Sequence, residues 1–263
     1  MIRITLLGTG GSAGVPMIGG EDGAGDWGVC DPAEPRNRRT RTSIVVEQGG
    51  QRLLVDTGPD MRSQLLAAGI GRVDAILYTH AHADHITGLD DVRILNRIAG
   101  RPLQAFGTAA TLDDISTRFA YAFRPWRPPG FYRPVMEKVE VAADAEISPA
   151  GFPVRRFAQD HGMVTTLGLR IGGFGYSTDV VRLDERAFDV LAGVDTWVVG
   201  CFQRQPHNTH AKLDEVLRWV DRLRPRRTIL THMGTDMDWA WLQANLPPGV
   251  EAGVDGMVLE LPG

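Results

Sequence analysis

Four side chains able to hold a metal fall inside six positions, at His80-Ala81-His82-Ala83-Asp84-His85. In extended chain, residues two apart point to one side, so His80 and His82 can share an ion. Asp84 and His85 follow where the chain is expected to enter a helix over Ile86–Ala99, and from there they can face a second ion beside the first. The alanines at 81 and 83 leave the space between these ligands uncrowded.

Four further apolar runs end in residues of the same chemistry: Arg52–Asp56, Val154–His161, Phe174–Asp179 and Thr228–His232. One histidine after a strand is ordinarily a structural hydrogen-bonding residue. Repetition of the pattern points to strands that end together and deliver their side chains to one place. The expected assignment is His80, His82 and His161 on one divalent ion, and Asp84, His85 and His232 on another. Asp179 would bridge the two. A pair of ions about 3.5–4 Å apart activates water and clamps a developing oxyanion, which is hydrolytic chemistry. Asp56 is expected to orient a ligand imidazole by accepting its other N–H. Asp84 is counted among the catalytic groups as well as among the ligands.

The elements that must carry these residues alternate. Strands are expected at 2–7, 43–47, 52–55, 75–78, 103–106, 138–141, 154–157, 166–171, 174–177, 196–199, 228–230 and 257–261. Helices are expected at 61–68, 86–99, 110–121, 184–191, 211–223 and 239–245. Gly49-Gly50 and Gly172-Gly173 read as hairpin turns, so hairpins mix with helical crossovers and the sheets are covered by helices. No repeat occurs, and residues 1–263 read as one domain.

Composition excludes several classes. Charged residues, 23% of the chain and evenly spread, argue against disorder, and no apolar stretch is long enough to span a membrane. The apolar start at Met1–Gly8 lacks a cleavage pattern, which suggests a cytoplasmic protein. Two cysteines, Cys30 and Cys201, are too few for a four-thiolate zinc site. A net charge of −4 gives little long-range attraction for nucleic acid.

The H-x-H-x-D-H run with His161, Asp179 and His232 downstream resembles the metallo-β-lactamase superfamily. Within it, Leu7–Pro16 (LGTGGSAGVP), Ser177-Thr178-Asp179, Ile229–His232 and Gly253-Val254-Asp255-Gly256-Met257 are similar to the phosphoribosyl 1,2-cyclic phosphate phosphodiesterases. The resemblance implies an α/β (α+β) fold, a four-layer αββα sandwich. It also implies two divalent ions, manganese or zinc, a small-molecule phosphodiester substrate and frequently a homodimer. Members carry a separate structural zinc on an N-terminal cysteine cluster. Here the chain departs, since Gly19–Pro35 contains only Cys30.

His207 and His210 precede a helix, and His210 matches the family's extra active-site histidine. Outside the metal ligands, it is expected to protonate the leaving oxygen as a general acid; otherwise it caps the helix or bonds the substrate. Arg36–Arg41 holds four arginines, of which Arg39 and Arg41 are candidate phosphate forks, against the reading of a solvated charge run. Residues 123–133 interleave aromatics with Arg124 and Arg127 and read as a stacking lid or as a stiff surface loop. Gly8, Gly10, Gly11 and Gly14 lack the Lys-Ser/Thr of a nucleotide loop, so tight turning is expected there. The alternatives are a tRNA-processing ribonuclease, a thioesterase or lactamase, and a non-catalytic metal-binding protein. The ribonuclease would need a basic arm that the sequence does not show. Loss of ligands would favour the last, and every expected ligand is present.

Overall fold

The computed structural model describes residues 1–141 and 146–262. In chain order the strands and helices are β1 Ile2–Gly8, β2 Ser43–Gln48, β3 Gln51–Val55, α1 Met61–Ala67, β4 Ala75–Leu77, α2 Ala83–Ile86, α3 Val92–Ala99, β5 Leu103–Gly107, α4 Ala109–Arg118 and β6 Met136–Glu140. They continue as β7 Arg155–His161, β8 Val164–Ile171, β9 Phe174–Ser177, α5 Glu185–Leu191, β10 Thr196–Gly200, α6 Leu213–Leu223, β11 Arg227–Thr231, α7 Trp239–Asn245, β12 Val250–Ala252 and β13 Val258–Leu261. Among the described residues, no helix is long and apolar enough to cross a membrane.

Two compact units result. The first comprises Met1–Leu7, Ser43–Val154 and Val258–Gly263, and the second Gly8–Thr42 and Arg155–Met257. The first is built on a seven-stranded sheet in the order β13-β1-β2-β3-β4-β5-β6. Its β2–β3 hairpin is antiparallel and turns at Gly49-Gly50, both at positive φ, whereas β3, β4, β5 and β6 run parallel. Leu54, Ile76 and Tyr78 from the sheet are buried with Met61 and Leu65 of α1, Val92 and Leu95 of α3, and Leu112 and Ile115 of α4. Removing these apolar groups from water is what holds the helices on the sheet.

The second unit is built on a six-stranded sheet in the order β12-β11-β10-β9-β8-β7. Strands β9 to β12 are parallel, and β8 is antiparallel to both β7 and β9. Trp197, Val199 and Leu230 pack with Leu191 of α5, Val216 and Trp219 of α6, and Leu242 of α7. Asp184 and Asp238 cap α5 and α7 by accepting from the N–H of Ala187 and Trp241, at 2.8 and 3.0 Å.

The expected helix over Ile86–Ala99 is broken. α2 starts earlier, at Ala83, and a single-turn 3₁₀ helix at Leu89–Asp91 leads into α3. Gly88 is the cause: a Cβ there would lie 2.0 Å from the Gly58 carbonyl oxygen, and backbone bonds from Gly88 N to Thr57 O and from Thr57 N to His85 O take the place of helical ones. Asp84 and His85 therefore sit inside a helical turn. The strand expected at 154–157 continues to His161, because pairing with β8 carries the polar Gln159-Asp160-His161 that alternation alone would end. β6 begins two residues before its expected start, and β12 escaped notice because three residues carry no periodicity.

Candidate metal-binding residues

In the first unit Asp56 directly follows β3, and His80 comes three residues after β4. Because β3 and β4 are parallel, both emerge at the same edge of the sheet. Asp56 adopts φ 67°, a left-handed conformation costly for a non-glycine residue, and it is fully buried. Its Oδ1 accepts from Thr79 N at 2.8 Å, and its Oδ2 accepts from Thr79 Oγ1 and His85 Nδ1, both at 2.8 Å. Burial pushes this carboxyl up, against the pull of His85 and Thr79. With Nδ1 of His85 on Asp56, its Nε2 faces Asp84 Oδ2 at 3.3 Å. His80 Nδ1 lies 3.0 Å from Thr79 Oγ1, and the His80 ring lies 4.5 Å from that of His82 and 4.3 Å from that of His85. Arg118 of α4 donates to the Ala81 carbonyl at 2.6 Å and braces the run from outside.

In the second unit direction again gathers the residues. β7, β9 and β11 point the same way, so His161, Asp179 and His232 emerge at one edge. Asp179 Oδ1 lies 3.6 Å from His161 Nε2 and 3.2 Å from His232 Nε2. His161 donates from Nδ1 to the Thr209 carbonyl at 2.7 Å, which orients the ring so that Nε2 faces Asp179. Thr178 Oγ1 donates to the other oxygen, Asp179 Oδ2, at 2.6 Å. Asp179 and His232 also hold left-handed φ, 47° and 54°.

His210 stands beside this set. Its ring lies 4.7 Å from His161 and 4.8 Å from His232, and its Nδ1 is 3.9 Å from Asp179 Oδ1. Burial and the adjacent His232 lower it to about 3, against the raising pull of Asp179. His207 is exposed, its ring 5.0 Å from that of His210.

The arginine candidates separate. Arg39, 2% exposed, donates to the Met237 carbonyl at 2.6 Å and the Gly234 carbonyl at 3.4 Å, so it is a buried brace and no solvated fork. Arg41 is half-buried, bridged to Gly10. Arg124 lines a cavity of about 750 Å³ with Pro102, Trp126 and Met136. That cavity lies at the starts of β5 and β6, whereas Asp56 and His80 follow the ends of the parallel β3 and β4. Arg133 closes the loop onto the Arg124 and Pro125 carbonyls, and Trp126 stacks on Phe131 at 4.5 Å, keeping Arg127 on this loop. Arg124 thus lies at the sheet edge opposite Asp56 and His80, on a loop closed by Arg133.

Sequence reasoning missed Thr79, Thr178 and Phe202. The threonines adjoin motifs, but a threonine beside a histidine or aspartate is too common to signal a contact, and Phe202 lies outside every motif.

His and Asp clusters of this kind can hold divalent metal: the donor set is imidazole nitrogen and carboxylate oxygen, with the ligand atoms of His80 and His82, and of Asp84 and His85, within 4.8 Å of one another. Residues 51–233 match the family model of a β-lactamase superfamily domain. The chain is 31% identical over 260 residues, 97% of its length, to an octanoyltransferase of Porphyromonas gingivalis, and spans 51% of that relative. Over 222 residues it is 31% identical to a ribonuclease Z of Mycobacterium bovis, covering 75% of this chain and 69% of that relative. Among solved structures, a diphosphatase described as from the PhnP family superposes with TM-score 0.89 and 33% identity, covering 100% of this chain and 98% of that one. Human tRNase Z, short form, superposes with TM-score 0.67 at 17% identity over 99% of each chain, a likeness of fold.

Proposed function

Because the chain belongs to the metallo-β-lactamase superfamily, we propose that this hydrolase is a dinuclear metal-dependent phosphodiesterase acting on a small cyclic phosphodiester such as phosphoribosyl 1,2-cyclic phosphate. The observation that carries the reading is the donor set, with His161 Nδ1 tied to a carbonyl and His85 Nδ1 to a carboxylate so that each presents Nε2. In this reading His80, His82 and His161 would hold one ion, Asp84, His85 and His232 the other, and Asp179 would serve both. Two divalent ions, Mn²⁺ or Zn²⁺, would supply Lewis acidity toward water and phosphate charge. Asp56 fixes the His85 ring. His210 donates the proton that the departing oxygen needs, its imidazolium made tolerable by the anionic phosphate beside it. Residues 1–263 are read as one domain, a reading supported by the chain's four passages between the units, after residues 7, 42, 154 and 257.

The likeness to the PhnP-family diphosphatase supports a phosphate substrate. The ribonuclease Z relatives favour a second reading, cleavage of RNA. The deciding experiment loads the protein with manganese or zinc and compares hydrolysis of a cyclic ribose phosphate, an aryl phosphodiester, a diphosphate, a precursor tRNA, a lactam and a thioester. Preference for the cyclic phosphate in kcat/KM is expected. Preference for the tRNA would replace this reading with the second, and turnover only of the lactam or thioester would overturn both.

A further inference from the structure

Phe202 lies just beyond β10, whose parallel neighbours β9 and β11 lead to Asp179 and His232. Its backbone is held on both sides: Cys201 N donates to the Thr231 carbonyl and Gly234 N donates to the Phe202 carbonyl, each at 2.8 Å. The ring is held by absence of side chains. A Cβ on Gly11 would come within 2.8 Å of Phe202 Cε2, and one on Gly234 within 3.1 Å of the same atom. Neither glycine is at positive φ, so the backbone does not require glycine at either place. The space for the ring does.

The exposed side of this cradle meets histidines. The Phe202 ring centroid is 4.9 Å from that of His210 at an interplanar angle of 31°, 5.1 Å from His207 and 6.1 Å from His232. Two of the other site imidazoles are oriented by strong hydrogen bonds, His85 by Asp56 and His161 by Thr209. His210 differs. Its nearest charged oxygen among the described residues, Asp179 Oδ1, stands 3.9 Å from Nδ1, beyond hydrogen-bonding range. What remains to set its orientation is packing, with Phe202 and His232 on its flanks at tilted or stacked angles.

We infer that Phe202 is a positioning residue: seated on Gly11 and Gly234, its ring holds the His210 imidazole in the one orientation from which it reaches the leaving oxygen. The inference rests on the proposed role of His210. The glycines of the Leu7–Pro16 run thereby acquire a purpose, since Gly11 is the floor under the ring that sets the acid.

The test combines a double-mutant cycle with a structural readout. Phe202→Leu keeps apolar bulk and removes the planar face. It is expected to lower kcat on an alkyl or ribose phosphodiester by about tenfold or more with KM and metal content unchanged, and to affect an aryl phosphodiester, whose phenolate leaves unaided, far less. In the His210→Ala background the same substitution is expected to change kcat by less than about twofold, because residues acting through one group are not additive. A further loss in that background, or no loss in the single variant, would overturn the positioning role. Equal losses on both substrates in His210→Ala itself would instead remove the general-acid reading, leaving the cycle to report on coupling alone. Wild-type protein with labelled histidine supplies the independent readout: proton–proton contacts between the Phe202 and His210 rings and a single His210 rotamer are expected by NMR. Absence of those contacts would overturn the inference whatever the variants do.

Discussion

At the scale of single residues, Asp56, Asp179 and His232 carry left-handed backbones that L side chains rarely adopt. Such a conformation costs about 1–3 kcal/mol and persists where surrounding structure enforces it, commonly at functional sites. The turn after each strand aims the side chain across the sheet edge. Asp56→Asn keeps shape and tolerates positive φ but removes a carboxylate from His85 Nδ1. Metal affinity is expected to fall about 10–100-fold with unchanged circular dichroism, read by metal titration; wild-type affinity would make Asp56 a mere strand-end residue. Burial pushes both Cys30 and Cys201 thiols up. Neither is expected to react with a thiol reagent at pH 8 in native protein, and both are expected to react in denaturant. Rapid native labelling of either would show that its surroundings open.

At the scale of elements, loops do work that regular structure cannot. Segment 26–39 is tied to 233–239 by Val29 N on the Thr235 carbonyl at 3.0 Å, Asn37 Nδ2 on Asp238 Oδ1 at 2.8 Å, Asp31 N on the same oxygen at 3.1 Å and Arg39 on the Met237 carbonyl. Where the family's resemblance implies a structural zinc, this chain has a hydrogen-bonded clasp; Cys30 itself sits 3.4 Å from the Thr235 carbonyl. Asp238→Ala removes two bonds of the clasp and the α7 cap. A loss of about 1–3 kcal/mol is expected by urea unfolding, and added zinc should not restore it. Gly88→Ala is the harsher case, for its Cβ would meet the Gly58 carbonyl. A destabilisation of about 3 kcal/mol or more is expected, with weakened metal binding, because the break it enforces sets Asp84 and His85.

At the scale of the whole molecule, the proposed ligands fall at many points along the chain, from His80 to His232, so metal binding and folding should be linked. Ions at a hundred times their dissociation constant add about 2.7 kcal/mol per site. Chelation is therefore expected to lower the thermal midpoint by several degrees and reloading to restore it. Asp179→Ala, removing the bridge, is expected to reduce the bound metal below two ions per chain by elemental analysis; full occupancy would remove Asp179 from that role. The sequence by itself determined the residues that can bind metal and most of the elements beside them. His80, His82, Asp84 and His85 are local in the chain, and two-residue spacing places imidazoles on one side whatever the rest does. Strand cores such as Ser43–Gln48 and Phe174–Ser177 are legible because apolar runs between glycine turns leave few alternatives. Only the tertiary structure decided the break at Gly88, the burial of Arg39, the place of Arg124 at the far sheet edge, and the seat of Phe202 on Gly11 and Gly234. Each depends on strand direction or on contacts between residues far apart in the chain, as Gly11 and Phe202 are, and local periodicity holds no record of which strands run parallel or which backbone a side chain will meet.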